Sequence, residues 1–108
     1  MKTATAQQVS DMMRSDPSVA VLDVLPPEKY SREHVPGAHN VPFSAESFTD
    51  RVEQVVSGKD QPVVVYCADE ECSLSPKAAQ ELESAGYENV IDFTGGMAEW
   101  KEAGLPTE

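Results

Sequence analysis

Hydrophobic positions along this chain follow two rhythms. Near-continuous apolar runs occur at 19–24, Val19-Ala20-Val21-Leu22-Asp23-Val24, and at 63–66, Val63-Val64-Val65-Tyr66. Such runs suit strands buried on both faces of a parallel sheet. A further strand is expected over 89–93. Elsewhere the apolar residues recur at helical spacing. Val9, Met12 and Met13 mark a helix over 6–14, with Thr5 as its cap and Asp16-Pro17 as its end. Pro26-Pro27 stops the first apolar strand, and Pro27 suits the first turn of a short helix to about residue 32. Val35-Pro36-Gly37-Ala38 is turn chemistry, followed by a short extended piece reaching Val41-Pro42. Phe48, Val52, Val55 and Val56 predict another helix, closed by Gly58. Ser75 then caps a helix with Pro76 at its first position and Ala78, Ala79, Leu82 and Ala85 on its apolar face, ending at Gly86. Gly95-Gly96 turns into a last helix carrying Met97 and Trp100, both read as core, which Gly104 and Pro106 terminate. Strands alternating with helices define an α/β fold with a central parallel sheet, and residues 1–108 read as one domain.

Composition narrows the setting. The 108 residues carry 8 basic and 19 acidic side chains, a net charge of −11. A field of that sign repels nucleic acid and anionic membrane and slows small anions, so neither macromolecule is an expected partner. Solubility or growth in salt, and attraction to a basic protein, are the remaining readings of the charge. No apolar run approaches the roughly 18 residues that span a bilayer. Residues 1–14 lack a signal peptide's apolar stretch, which makes the cytoplasm the expected location.

Two cysteines, Cys67 and Cys72, exclude the disulfide framework of a secreted mini-protein. Their Cys-x4-Cys spacing, with no second pair and with His34 and His39 distant, argues against structural zinc. No metal or cofactor is expected. Cys67 instead follows a buried strand directly and precedes a helix start by eight residues. A helix N-terminus offers unpaired N–H groups and about half a positive charge. In such fields a thiol pKa falls from about 8.5 to between about 3.5 and 7.5. Ligands in parallel α/β sheets bind beyond the carboxyl ends of strands, where Cys67 lies. The rival reading is an inert buried thiol.

At this point several blocks resemble the single-domain rhodanese-like family. Leu22-Asp23-Val24, Glu28-Lys29-Tyr30 and the stretch from His34 to Pro42 resemble its first block. Val63-Val64-Val65-Tyr66-Cys67 resembles its catalytic strand and nucleophile. Ala85-Gly86-Tyr87-Glu88-Asn89-Val90, Gly95-Gly96-Met97 with Trp100, and Ala103-Gly104-Leu105-Pro106 resemble its carboxyl-terminal signature. The resemblance runs from about Thr5 to the end and implies a five-stranded parallel sheet flanked by helices. It also implies sulfur transfer. The cysteine attacks a sulfane-sulfur donor such as thiosulfate, polysulfide or a persulfide, carries the sulfur as a persulfide, and yields it to a thiol, a protein acceptor or cyanide. This chemistry requires an exposed, ionised thiol and a cradle of backbone N–H groups, expected from Ala68, Asp69, Glu70, Glu71, Ser73, Leu74 and Ser75.

Three departures stand beside the resemblance. The loop from Cys67 to Ser75 is about two residues longer than a common family loop and lacks its arginine, matching a subgroup with Cys-x4-Cys. Leu25 replaces an arginine. Asp69, Glu70 and Glu71 place three carboxylates beside the nucleophile, where they raise its pKa if turned inward and matter little if solvated. Cys72 is either a resolving or relay thiol or an incidental loop residue. Asp23 either orients the active loop or accepts local backbone hydrogen bonds. His34 and His39 read as packing or turn residues rather than acid–base groups, and Lys77 as a solvated side chain. Related phosphatase and arsenate reductase chemistry needs Cys-x5-Arg, but the sixth residue after Cys67 is Ser73. Sulfurtransferase is thus the first reading. A non-catalytic module presenting the acidic loop to a protein is the rival, with a dithiol redox or sulfur relay as a further alternative.

Overall fold

A computed structural model describes residues 2–43 and 47–108. In chain order the elements are β1 (Lys2–Ala4), α1 (Ala6–Ser15), β2 (Ala20–Asp23), α2 (Pro27–Arg32), β3 (His39–Asn40), α3 (Phe48–Val55), β4 (Val63–Tyr66), α4 (Leu74–Ser84), β5 (Val90–Phe93) and α5 (Gly96–Glu102). The five strands form one sheet in the order β1-β5-β4-β2-β3, and every pairing is parallel. All residues of β2, β4 and β5 are buried, as their apolar runs require. β4 lies at the centre, so its carboxyl end opens into the middle of the sheet's edge.

Strand alternation sends successive side chains into two different cores. Val63, Val65 and Cys67 join Leu22, Phe48, Val52, Ala78, Ala79 and Leu82, under α3 and α4. Val64 and Tyr66 join Val9, Val21, Phe93, Met97 and Trp100, under α1 and α5. Burying apolar area at about 25 cal/mol per Å² on both faces is the main source of stability for such a sheet. Among the described residues no helix is long and apolar enough to cross a membrane.

One strand went unannounced in the sequence, and one local expectation needs correction. The strand β1 has no apolar run to announce it; its residues pair with Ile91, Asp92 and Phe93 of β5 and are largely exposed. Its extended state is therefore imposed by its neighbour. The helix α4 begins at Leu74, and Ser75 does not cap it. The residue at the cap is Ser73, already near helical geometry at φ −89° and ψ −3° and making no side-chain cap bond. The chain enters this helix from a turn closed by the Cys72 N–H donating to the Asp69 carbonyl at 3.2 Å. A side-chain cap requires an extended residue instead. Pro76 consequently occupies the third helical position, still within the first turn, where a missing N–H loses no helical bond.

Candidate active site

The carboxyl ends of β2 and β4 are joined by buried polar groups. Asp23, fully buried, accepts hydrogen bonds from the Leu25 N–H at 2.9 Å on Oδ1 and from the Tyr66 hydroxyl at 2.9 Å on Oδ2. The Tyr66 oxygen in turn accepts the Val35 N–H at 3.1 Å. Asp23 therefore makes the local backbone bond and also anchors the residue preceding Cys67. Burial pushes the Asp23 carboxyl above its ordinary range, and the hydrogen bonds from Leu25 and Tyr66 oppose the rise. Burial, and then the adjacent Asp23, hold the Tyr66 phenol far above its ordinary value.

Helix α5 holds the other side of the loop. Two donors of its first turn, the Met97 and Ala98 N–H groups, bond the carbonyls of Cys67 and Ala68 at 3.0 and 2.9 Å. This satisfies orphan donors that a helix start otherwise leaves unpaired. Gly96 permits the close approach. It sits at φ +58°, and a Cβ there would lie 2.2 Å from the Cys67 carbonyl oxygen.

From this base the loop folds back on itself. Asp69 Oδ1 accepts the N–H groups of Glu71 and Cys72 at 3.0 and 3.1 Å. These two donors are consumed by the loop's own carboxylate, which corrects the expectation that the whole loop offers them to a bound anion. Asp69, Glu70 and Glu71 are exposed, so their charges face water. Cys67 and Cys72 are joined as a disulfide, with Cα atoms 6.4 Å apart. Cys72 is half-buried and packs with Ala68 and Leu74 against the α3–α4 core. Cys67 is 1% exposed. The closed loop therefore covers the thiol that the expected chemistry needs exposed.

Ser75 and Asp92 lie beneath the loop, each 1% exposed. In the sheet register Asp92 pairs with Val65, and alternation turns it to the face shared by Val65 and Cys67. Burial raises its carboxyl above the ordinary range, and the Ser75 hydroxyl partly counteracts this. Among the described residues neither Ser75 Oγ nor Asp92 Oδ1 has a hydrogen-bond partner of ordinary geometry. Sequence reading missed Asp92, although one acid inside the run Val90-Ile91-Asp92-Phe93 was an available signal.

The remaining candidates lie away from the loop's chemistry. His34 stacks on Tyr30 with ring centroids 3.9 Å apart, and its Nδ1 lies 2.8 Å from the Tyr30 carbonyl oxygen. His39 and Lys77 are exposed. Leu25 is buried in the α3–α4 core, and Trp100 lies in the other. An acidic groove beside the loop is lined by Asp69, Glu70, Gly95, Ala98, Glu99 and Glu102.

Residues 5–103 match the family described as Rhodanese-like domain, and the chain belongs to that family, which includes sulfurtransferases. It is 37% identical over 90 residues to the HTH-type transcriptional regulator Rv0324 of Mycobacterium tuberculosis, covering 83% of this chain and 38% of that protein. It spans well under half of that relative. It is also 37% identical over 95 residues to Thiosulfate sulfurtransferase 16, chloroplastic, of Arabidopsis thaliana, covering 81% of this chain and 78% of the relative. Among solved structures, the Alr3790 protein from Anabaena sp. superposes with a TM-score of 0.85 at 32% identity, covering 97% of this chain and 80% of that one.

Proposed function

We propose that residues 1–108 act as one rhodanese-like sulfurtransferase domain with Cys67 as the nucleophile. The observation carrying this reading is the position of Cys67, at the carboxyl end of the central strand and inside a loop that runs into α4. With the loop open and the disulfide reduced, the Cys67 thiolate attacks the outer sulfur of a donor. With thiosulfate, the S–S bond breaks, sulfite leaves with the electron pair, and Cys67 holds a persulfide. A second thiolate or cyanide then takes the outer sulfur and returns the Cys67 thiolate.

The exposed carboxylates of Asp69, Glu70 and Glu71 oppose approach of a dianion such as thiosulfate. Donors of lower negative charge, including persulfides of small thiols or of proteins, fit this rim better. The arsenate reductase alternative lacks an oxyanion-binding arginine at Ser73. Cys67→Ser tests the assignment. Reduced wild type treated with a sulfane donor should gain about 32 mass units per sulfur carried, at least transiently, and the variant none, because a serine hydroxyl stays un-ionised. Equal sulfur uptake and transfer by the variant refutes Cys67 as the nucleophile.

A further inference from the structure

We infer that Cys72 resolves the Cys67 persulfide internally, so that the protein releases sulfide and becomes a Cys67–Cys72 disulfide. This rests on the sulfurtransferase reading above and adds its product and its second reactant. Three observations carry it. The two sulfurs are already joined, across a Cα separation of 6.4 Å that lies within the ordinary span of a disulfide. Cys67 is 1% exposed, so in the closed loop the thiol best placed to meet its sulfur is Cys72. The closure is also built in, because Asp69 Oδ1 holds the N–H groups of Glu71 and Cys72 and its carbonyl receives the Cys72 N–H again. Asp69 is thus a positioning residue that folds Cys72 back over the nucleophile.

The step balances without an outside oxidant. The Cys72 thiolate attacks the inner sulfur of the persulfide, and its electron pair forms the Cys67–Cys72 bond. The inner–outer S–S bond breaks, and the outer sulfur, protonated by water before or as it departs, leaves as HS⁻ with the electron pair of that bond. Sulfane sulfur is reduced by two electrons while two cysteine sulfurs are oxidised to the disulfide. Return to the dithiol consumes two equivalents of a small thiol, or one dithiol protein, which leaves as its own disulfide. An external thiol reaching the persulfide first would instead carry the outer sulfur away, so loop closure determines which product forms.

A single-turnover experiment decides. Reduced protein, freed of reductant under anaerobic conditions, receives one equivalent of thiosulfate, or of inorganic polysulfide in a parallel arm. Intact mass is followed in both arms and free sulfide in the thiosulfate arm. Wild type should end about 2 mass units below its reduced form, with one sulfide released per chain and peptide mapping showing Cys67 linked to Cys72. Cys72→Ser should keep about 32 added mass units and release sulfide only after thiol is added. Wild type that retains the added sulfur and frees no sulfide overturns the relay and leaves the sulfurtransferase intact. Failure of Cys72→Ser to gain sulfur from either donor overturns the sulfurtransferase reading itself. Timed from the formed persulfide, so that donor approach does not enter, Asp69→Ala should slow sulfide release severalfold, whereas Asp69→Asn, which can make the same turn, should release it at the wild-type rate. Equal rates in all three remove Asp69 from the closure.

Discussion

Two buried aspartates flank the central strand, and the molecule treats them oppositely. Asp23 faces the α1–α5 side, where both of its oxygens accept hydrogen bonds and link β2 to β4 through Tyr66. Asp92 faces the α3–α4 side with Cys67, and its Oδ1 has no partner of ordinary geometry among the described residues. Both carboxyls are raised by burial. Only the first is embedded in a satisfied network. A buried carboxyl with complete partners holds two strands at a set height, whereas one left incomplete is a liability that its neighbours have not removed. The difference separates the pin that fixes the start of the loop after β4 from the less satisfied floor below it.

The comparison can be broken most severely at Asp23. Replacing it by Ala leaves a cavity and strands the Leu25 N–H and Tyr66 hydroxyl, each costing about 1–3 kcal/mol. A loss near 4 kcal/mol in urea unfolding is expected for Asp23→Ala. Adding Tyr66→Phe should cost less than the sum of the two single changes, since the phenol is then no longer orphaned. Strict additivity of the two would show that the network does not act as a unit.

The other restraint on the loop is Gly96, and its effect should be smaller. In Gly96→Ala a methyl must displace the Cys67 carbonyl while the backbone stays at positive φ. About 2 kcal/mol of destabilisation is expected, together with faster thiol modification of reduced Cys67 because its anchor to α5 is loosened. An unperturbed melt would show that α5 does not hold the loop in place.

Asp92 offers the mildest and most diagnostic change. Its folded pKa is raised, so the folded state binds its proton more tightly than the unfolded state does. The associated stability is fully present below the unfolded value, about 4 for an aspartate, and is lost as pH rises through the folded pKa. Asp92→Asn has no proton to lose there. It should match wild type near pH 3 and become relatively more stable toward neutral pH, read as the difference in urea midpoints across that range. The opposite slope would mean that the carboxylate, not the acid, is the form the fold prefers.

Much of this architecture is readable in the residue order because buried parallel strands and amphipathic helices write distinct periods. Val63-Val64-Val65-Tyr66 occupies β4 to the residue. Pro27 opens α2, and Gly86 leaves α4 at φ +99°, as a glycine past a helix end should. The candidate nucleophile was legible for the same reason: a cysteine directly after such a strand sits at the edge where these sheets bind ligands.

Other features depended on contacts between residues far apart in the chain. The short strand β1 exists through its pairing with β5, and nothing in Lys2-Thr3-Ala4 favours extension strongly enough alone. Ser75 looked like a cap because serine before proline commonly is one, but the Asp69 turn precedes a helix that starts at Leu74, and the Ser75 hydroxyl is buried inside its first turn. The sequence by itself determined the α/β class, the order of the main elements and Cys67 at the end of a buried strand, because periodicity and caps act over a few residues. Tertiary structure decided that Cys72 meets Cys67, that Asp23 reaches Tyr66 while Asp92 stays incompletely paired, and that Gly96 must lack a side chain. Those outcomes depend on which atoms approach across the sheet or through a folded-back loop, and local preference carries no record of such distances.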